Sequence, residues 1–171
     1  MRLRHLVAAT VAATLVAPAF AGGGPPQVMN KTITISFTTS GMDKLPGGRS
    51  HGFSVAVYHT IYVSSAGRLF RCYRATTGRY STGGDFAPGA AGGSFSFQRN
   101  RLVGIIPWAT GARQIIVTFD SSFSSCPAST IEGRLAGVIR RQGIDRKVYE
   151  VSEVTSSKPI CSIQSGNAFV S

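Results

Sequence analysis

Apolar and polar residues alternate with a period of two through most of the chain. In "KTITISFTT", Lys31 to Thr39, Ile33, Ile35 and Phe37 alternate with Thr32, Thr34, Ser36 and Thr38, the pattern of a strand with one buried face. The stretch from Phe53 repeats it over a longer span. Phe53, Val55, Val57, Ile61 and Val63 share a row with His59, and Ser54, Ala56, Tyr58, Thr60, Tyr62 and Ser64 form the opposite row. The odd row is the expected core face. Ser65-Ala66-Gly67 then predicts a tight turn, with "RLFRCYR" returning as a partner strand that carries Phe70 and Cys72 on one face.

Further strands are expected at "GSFSFQ", "RLVGIIP", "ARQIIVTF", "KVYEVSEVT" and "ICSIQS", with a turn at Asn100. Asp120 is placed to cap the Ser-rich loop that follows it. The segment "TIEGRLAGVIRRQG" is two-sided, because Ile131, Leu135, Val138 and Ile139 fit helical spacing while Ile131, Leu135 and Ile139 also share a strand face. Gly133 and Gly137 each weaken a helix by about 1 kcal/mol relative to alanine, which tips the reading toward strand. The expected fold is all-β, an antiparallel β-sandwich or barrel of about eight or nine short strands.

Three segments fall outside that pattern. Residues 1–21 pair Arg2 and Arg4 with an apolar run ending in Ala19-Phe20-Ala21, the layout of a cleaved signal peptide. Residues 22–29, "GGGPPQVM", are expected as a flexible leader, with a single β-rich domain over 30–171. Gly83 to Gly93, "GGDFAPGAAGG", is expected as a mobile connection.

Charge narrows the range of partners. The chain holds 18 Lys plus Arg against 7 Asp plus Glu, a net +11; without Arg2 and Arg4 the balance is 16 against 7, or +9. Such an excess steers association with anionic surfaces and polymers. Arg68, Arg71, Arg74 and Arg79 form one cluster with Tyr73 and Tyr80, and Arg140, Arg141, Arg146 and Lys147 form another. Guanidinium forks bind carboxylate and phosphate in bidentate fashion, and tyrosine rings offer stacking faces. A periplasmic or secreted location makes anionic polysaccharide or an envelope surface the expected partner, rather than nucleic acid.

An exported chain with three cysteines should form one bridge and keep one thiol. Cys126 and Cys161 stand beside predicted strand ends and are the expected pair, whereas Cys72 lies within a strand. The competing chemical reading is a small secreted hydrolase or thiol-redox protein that uses His59 with Cys72, or with a carboxylate. Arg71 and Arg74 would lower the Cys72 pKa in that reading. His51 is expected in a loop. The spacings C-x-x-C, H-x-x-x-H and H-E-x-x-H are missing from the sequence, so neither a metal nor a cofactor is expected. The first expectation is therefore a non-catalytic binding domain.

"IIVTFDSSFSSCPAS", Ile115 to Ser129, followed by "CSIQSGNAF", Cys161 to Phe169, resembles a group of small exported bacterial proteins of unknown function. The resemblance implies export and a β-rich body with the two later cysteines built in, and it brings no activity, ligand or catalytic residue.

Overall fold

The computed structural model describes residues 23–45, 47–77, 80–87, 94–108, 111–133, 139–142 and 148–170. The predicted signal segment, Arg79, Arg146 and Lys147 lie outside these residues.

The alternating runs form strands in two antiparallel sheets that pack face to face. The larger is built around β1 (Lys31–Lys44), β2 (Ser50–Val63), β3 (Leu69–Thr77) and β4 (Tyr80–Ala87), which pair in sequence. The smaller follows as β5 (Ser94–Gln98), β6 (Arg101–Trp108), β7 (Gly111–Thr118) and β8 (Ala128–Glu132). The chain then returns to the first sheet as β9 (Ile139–Gln142), β10 (Val148–Ser156) and β11 (Ile160–Ser165). The free edge of β1 is shared between two of these strands. Its first half, Lys31 to Ser36, pairs with β11, and Thr39 to Lys44 pair with β10. Glu153, at φ +53, marks the irregularity in β10 opposite Gly41, where the register with β1 shifts.

The core lies between the facing rows. Ile33, Ile35, Phe37, Val57, Ile61 and Val63 of the large sheet meet Leu102, Ile115, Val117 and Phe119, which come from β6, β7 and the end of β7. Each such side chain contributes roughly 1.5 to 3 kcal/mol when fully buried. Gly104 stands opposite Phe95 in the small sheet, and the Phe95 ring lies across it. A Cβ at Gly104 would come 2.3 Å from Phe95 Cε1, too close for any real contact, so the ring must move. Since Phe95 also packs against His59, Gly104→Ala should destabilise the protein by about 1 to 3 kcal/mol. A urea midpoint equal to the parent's would contradict this close approach.

Several expectations are corrected. Residues 23–28 are docked against the domain rather than forming a free leader. Pro26–Val28 make a 3₁₀ turn, Val28 is fully buried in the core, and the Gly24 amide donates to the Gly67 carbonyl at 2.8 Å. Tyr80–Ala87 form a strand on the edge of β3, so the predicted mobile connection contains ordered pairing. Backbone hydrogen bonds make that pairing, and they leave no side-chain alternation to read in a Gly-rich segment. The two-sided segment is neither a helix nor one strand. Its start is β8 of the small sheet and its end is β9 of the large one, with Gly133 at φ +95 leaving β8. His51 lies within β2, which extends through Ser50 because β1 and β2 remain paired to Lys44.

The two cysteines expected to pair do so. Cys126, in the loop before β8, is bonded to Cys161 of β11, with the Cα atoms 6.0 Å apart. The bridge ties the small sheet to the large one. Asp120 shapes the loop between β7 and β8. Its carboxylate accepts from the Ser124 and Ser125 amides and from the hydroxyls of Ser122, Ser124 and Ser125. These bonds, the Ser124 hydroxyl's first, hold the Asp120 pKa well below the usual carboxylate range.

Candidate functional site

The hairpin of β2 and β3 carries most of the sequence-predicted chemistry, and its register decides which residues meet. Val63 pairs with Leu69 across the turn, so the odd row of β2 continues into the odd row of β3: Ile61 faces Arg71, His59 faces Tyr73 and Val57 faces Ala75. Thr60 faces Cys72, Tyr58 faces Arg74 and Tyr62 faces Phe70 on the other side. His59 and Cys72 therefore point to opposite faces of the sheet, and the proposed pair cannot form. With Val63 opposite Leu69, strand alternation puts positions 59 and 72 on different faces. Cys72, on the outer face, is partly exposed and takes no part in the Cys126–Cys161 disulfide.

The inner side is a buried aromatic and cationic cluster. His59 is 1% exposed and stands between Phe37, Tyr73 and Phe95, with ring centroids at 6.0, 5.3 and 5.4 Å. Among the described residues neither ring nitrogen has a hydrogen-bond partner. Burial, helped by the Arg71 charge, lowers its pKa to about 4. Arg71 itself is buried and packs over Phe95, its Cζ lying 5.9 Å from the ring centroid. Arg71 and Tyr73, read as surface binding residues, are thus part of the interior. Burial pulls the Arg71 pKa down and pushes the Tyr73 pKa up.

The outer side holds Arg68 and Arg74 of the first arginine cluster and two tyrosines absent from it. Tyr58 is 39% exposed and Arg74, opposite it, is exposed. Tyr62 and Phe70 pair at 6.3 Å, and Arg68 lies over Phe70 at 6.0 Å. Rows of small hydroxylated residues continue the face onto β1 and β11: Ser36 is in register with Tyr58 and with Ile160, and Thr34 with Thr60 and Ser162. Across β1, β2 and β3 the Ser36–Tyr58–Arg74 row spans about 10 Å, and Tyr58 and Tyr62 stand about 13 Å apart along their strand. The tail crosses one end of this face, where the Thr32 hydroxyl donates to the Gly166 carbonyl and accepts from the Ala168 amide. Of the second cluster, Arg140 and Arg141 lie on β9 in register with Glu150 and Tyr149.

The chain matches no protein-family model, no curated protein and no solved structure. Geometry alone therefore carries the reading of these surfaces. Among the described residues no helix is long and apolar enough to cross a membrane, and no group of three His, Cys, Asp or Glu side chains is placed to hold a metal ion.

Two features had no strong signal in sequence. Asp43 is 2% exposed and lies 3.7 Å from His51 Nε2, longer than a hydrogen bond. A cleft of about 460 Å³ opens between β8 and the end of β10, with Arg113 and Lys158 among its lining. The even row of β2 did carry a readable signal, since two tyrosines recur among small hydroxylated residues.

Proposed function

We propose that the protein is an exported, non-catalytic binding domain for acidic polysaccharide, which it engages on the outer face of the seven-stranded sheet. The observation that carries this reading is the flat platform of Tyr58, Tyr62 and Phe70, flanked by the exposed cations Arg68 and Arg74 on a bed of Ser and Thr side chains. Aromatic rings give an extended chain of sugar rings apolar faces to lie on, hydroxyls match its hydroxyls, and guanidinium forks answer its carboxylates. A Cys126–Cys161 bridge fits an oxidising compartment, and the net charge of +11 favours encounter with a polyanion. The thiol-histidine alternative loses its geometry, because His59 and Cys72 lie on opposite faces of the hairpin.

Affinity electrophoresis through gels containing polygalacturonate or neutral dextran tests this. Retardation is expected in polygalacturonate alone, weakening as salt is raised. The double variant Arg68→Glu, Arg74→Glu should abolish it, and Tyr58→Ala should weaken it about tenfold with the fold intact. Equal retardation by both polymers, or full retention in the double variant, would refute the assignment.

A further inference from the structure

Strand β11 is an edge that the described fold leaves open. Among the described residues it pairs with β1 and with no other strand, in an unbroken register from Lys31 opposite Ser165 to Ser36 opposite Ile160. Alternate residues of an antiparallel strand turn their amide and carbonyl to the same side, so about three of the residues from Ile160 to Ser165 present both groups to solvent. Among the described residues these positions make no hydrogen bond beyond the ladder with β1. Natural sheets blunt such an edge with charged side chains, proline or a bulge. β11, "ICSIQS", has none of the three. It is also held in place, because Cys161 is bonded to Cys126 of the opposite layer, and an edge already ordered loses little freedom when a partner pairs with it.

The surroundings of the edge select its occupant. Ile160 is 72% exposed, and Ser162, Gln164 and Ser165 are exposed as well, so an added strand meets an apolar anchor at one end and small polar side chains along the rest. Lys158 is exposed beside the Ile160 end. Lys31 stands opposite Ser165 at the other end and donates one hydrogen bond to the Phe123 carbonyl. No Asp or Glu occurs from Val154 to Val170 or from Lys31 to Met42. The carboxylate of the neighbouring loop, Asp120, is engaged by Ser122, Ser124 and Ser125. These segments therefore bring positive charge to both ends of β11 and no uncommitted carboxylate. On a chain of net charge +11, such a field opposes a second copy of the chain and favours an acidic strand.

We propose that β11 accepts an extended acidic segment of another polypeptide as an added strand, the backbone of that segment completing the ladder and its acidic side chains meeting Lys158 and Lys31. The contact is made by the edge of the sheet and does not depend on the outer platform.

The test is titration of the protein with the peptide acetyl-Glu-Thr-Val-Thr-Val-Thr-Glu-amide, followed by two-dimensional NMR. Two control peptides accompany it, one with Lys at both ends and one N-methylated throughout. Saturable shifts of the Ile160 to Ser165 amides are expected with the acidic peptide. Both controls should bind at least about tenfold more weakly, since the first lacks the charge and the second lacks the ladder donors. Ile160→Glu and Lys158→Glu, at exposed positions, should each weaken the acidic peptide about tenfold with the fold intact. The absence of saturable shifts in β11, equal binding of either control, or shifts confined to Tyr58 and Tyr62 would each overturn the assignment. Shifts in β11 that track protein concentration without peptide would assign the edge to a second copy and overturn it too.

Discussion

Reducing the Cys126–Cys161 bridge is expected to lower the stability of the domain by roughly 3 to 4 kcal/mol, the chain-entropy value for a closed loop whose ends are 35 residues apart. The position of the bond matters as well as its loop. Cys161 is on the inward row of β11, opposite Ile35, and Cys126 lies in the Asp120 loop, so both pack against the core between the sheets. Without the bond, the serine loop and β8 still meet the large sheet through the Lys31–Phe123 and Ser129–Pro159 hydrogen bonds and core packing. Urea unfolding with and without reductant measures the effect, and a Cys126→Ser, Cys161→Ser variant should reproduce it. Alkylation of the unfolded, unreduced protein should label Cys72 alone. An unchanged midpoint on reduction, or labelling of more than one thiol, would refute the account.

The second large effect is acid sensitivity seated at His59. In the unfolded chain this imidazole titrates near 6.5, and in the folded protein near 4. Between those values the unfolded state binds the proton and the native state does not, so stability falls as pH falls through that window. It is fully present above about pH 6.5, and the loss down to pH 4 amounts to about 3 kcal/mol. The cause is local: burial of the ring in an aromatic pocket, helped by the Arg71 charge. His59→Leu should retain stability at pH 7, because it leaves no polar atom unsatisfied, and should flatten the dependence between pH 6.5 and 4. Urea midpoints for both proteins at pH 7 and pH 4.5 decide it. A slope that survives in His59→Leu would place the titration elsewhere. Asp120 acts in a lower window: its depressed pKa adds stability that is present above about pH 4 and lost on further acidification.

Much of the architecture was legible because alternation maps directly onto faces. The odd rows of β1 and β2 supply Ile33, Ile35, Phe37, Val57, Ile61 and Val63 to the core, as their spacing predicts. Gly67 at φ +73 and Arg99 at φ +56 form the turns expected at those points. Misreadings arose where side-chain pattern and backbone pairing separate. β4 is Gly-rich, so its hydrogen bonds leave no apolar trace. β3 mixes Phe70 and Cys72 on one row with Leu69, Tyr73 and Ala75 on the other, and its composition does not say which row is inward. That choice is made by the length of the turn, and with it the fates of Arg71, Tyr73 and Cys72.

The candidate surfaces were legible to a smaller degree. Arg68 and Arg74 were named from charge, but they matter through Tyr58, Tyr62 and Phe70, which join them only when β2 and β3 pair in the observed register. Arg113 looks like one more basic residue in a strand. It becomes the base of a cleft because Thr39 and Ser156, far away in sequence, are brought to its guanidinium by the packing of the two sheets.

By itself the sequence determined the fold class, most strand positions, the two early hairpin turns and the excess of positive charge, because these depend on local spacing and composition. The tertiary structure decided the division into two sheets, the sharing of β1 between β10 and β11, the burial of His59 and Arg71, and the residues that border the platform and the cleft. Those outcomes rest on register and on contacts between distant segments, and a one-residue shift in either would exchange the inner row for the outer one.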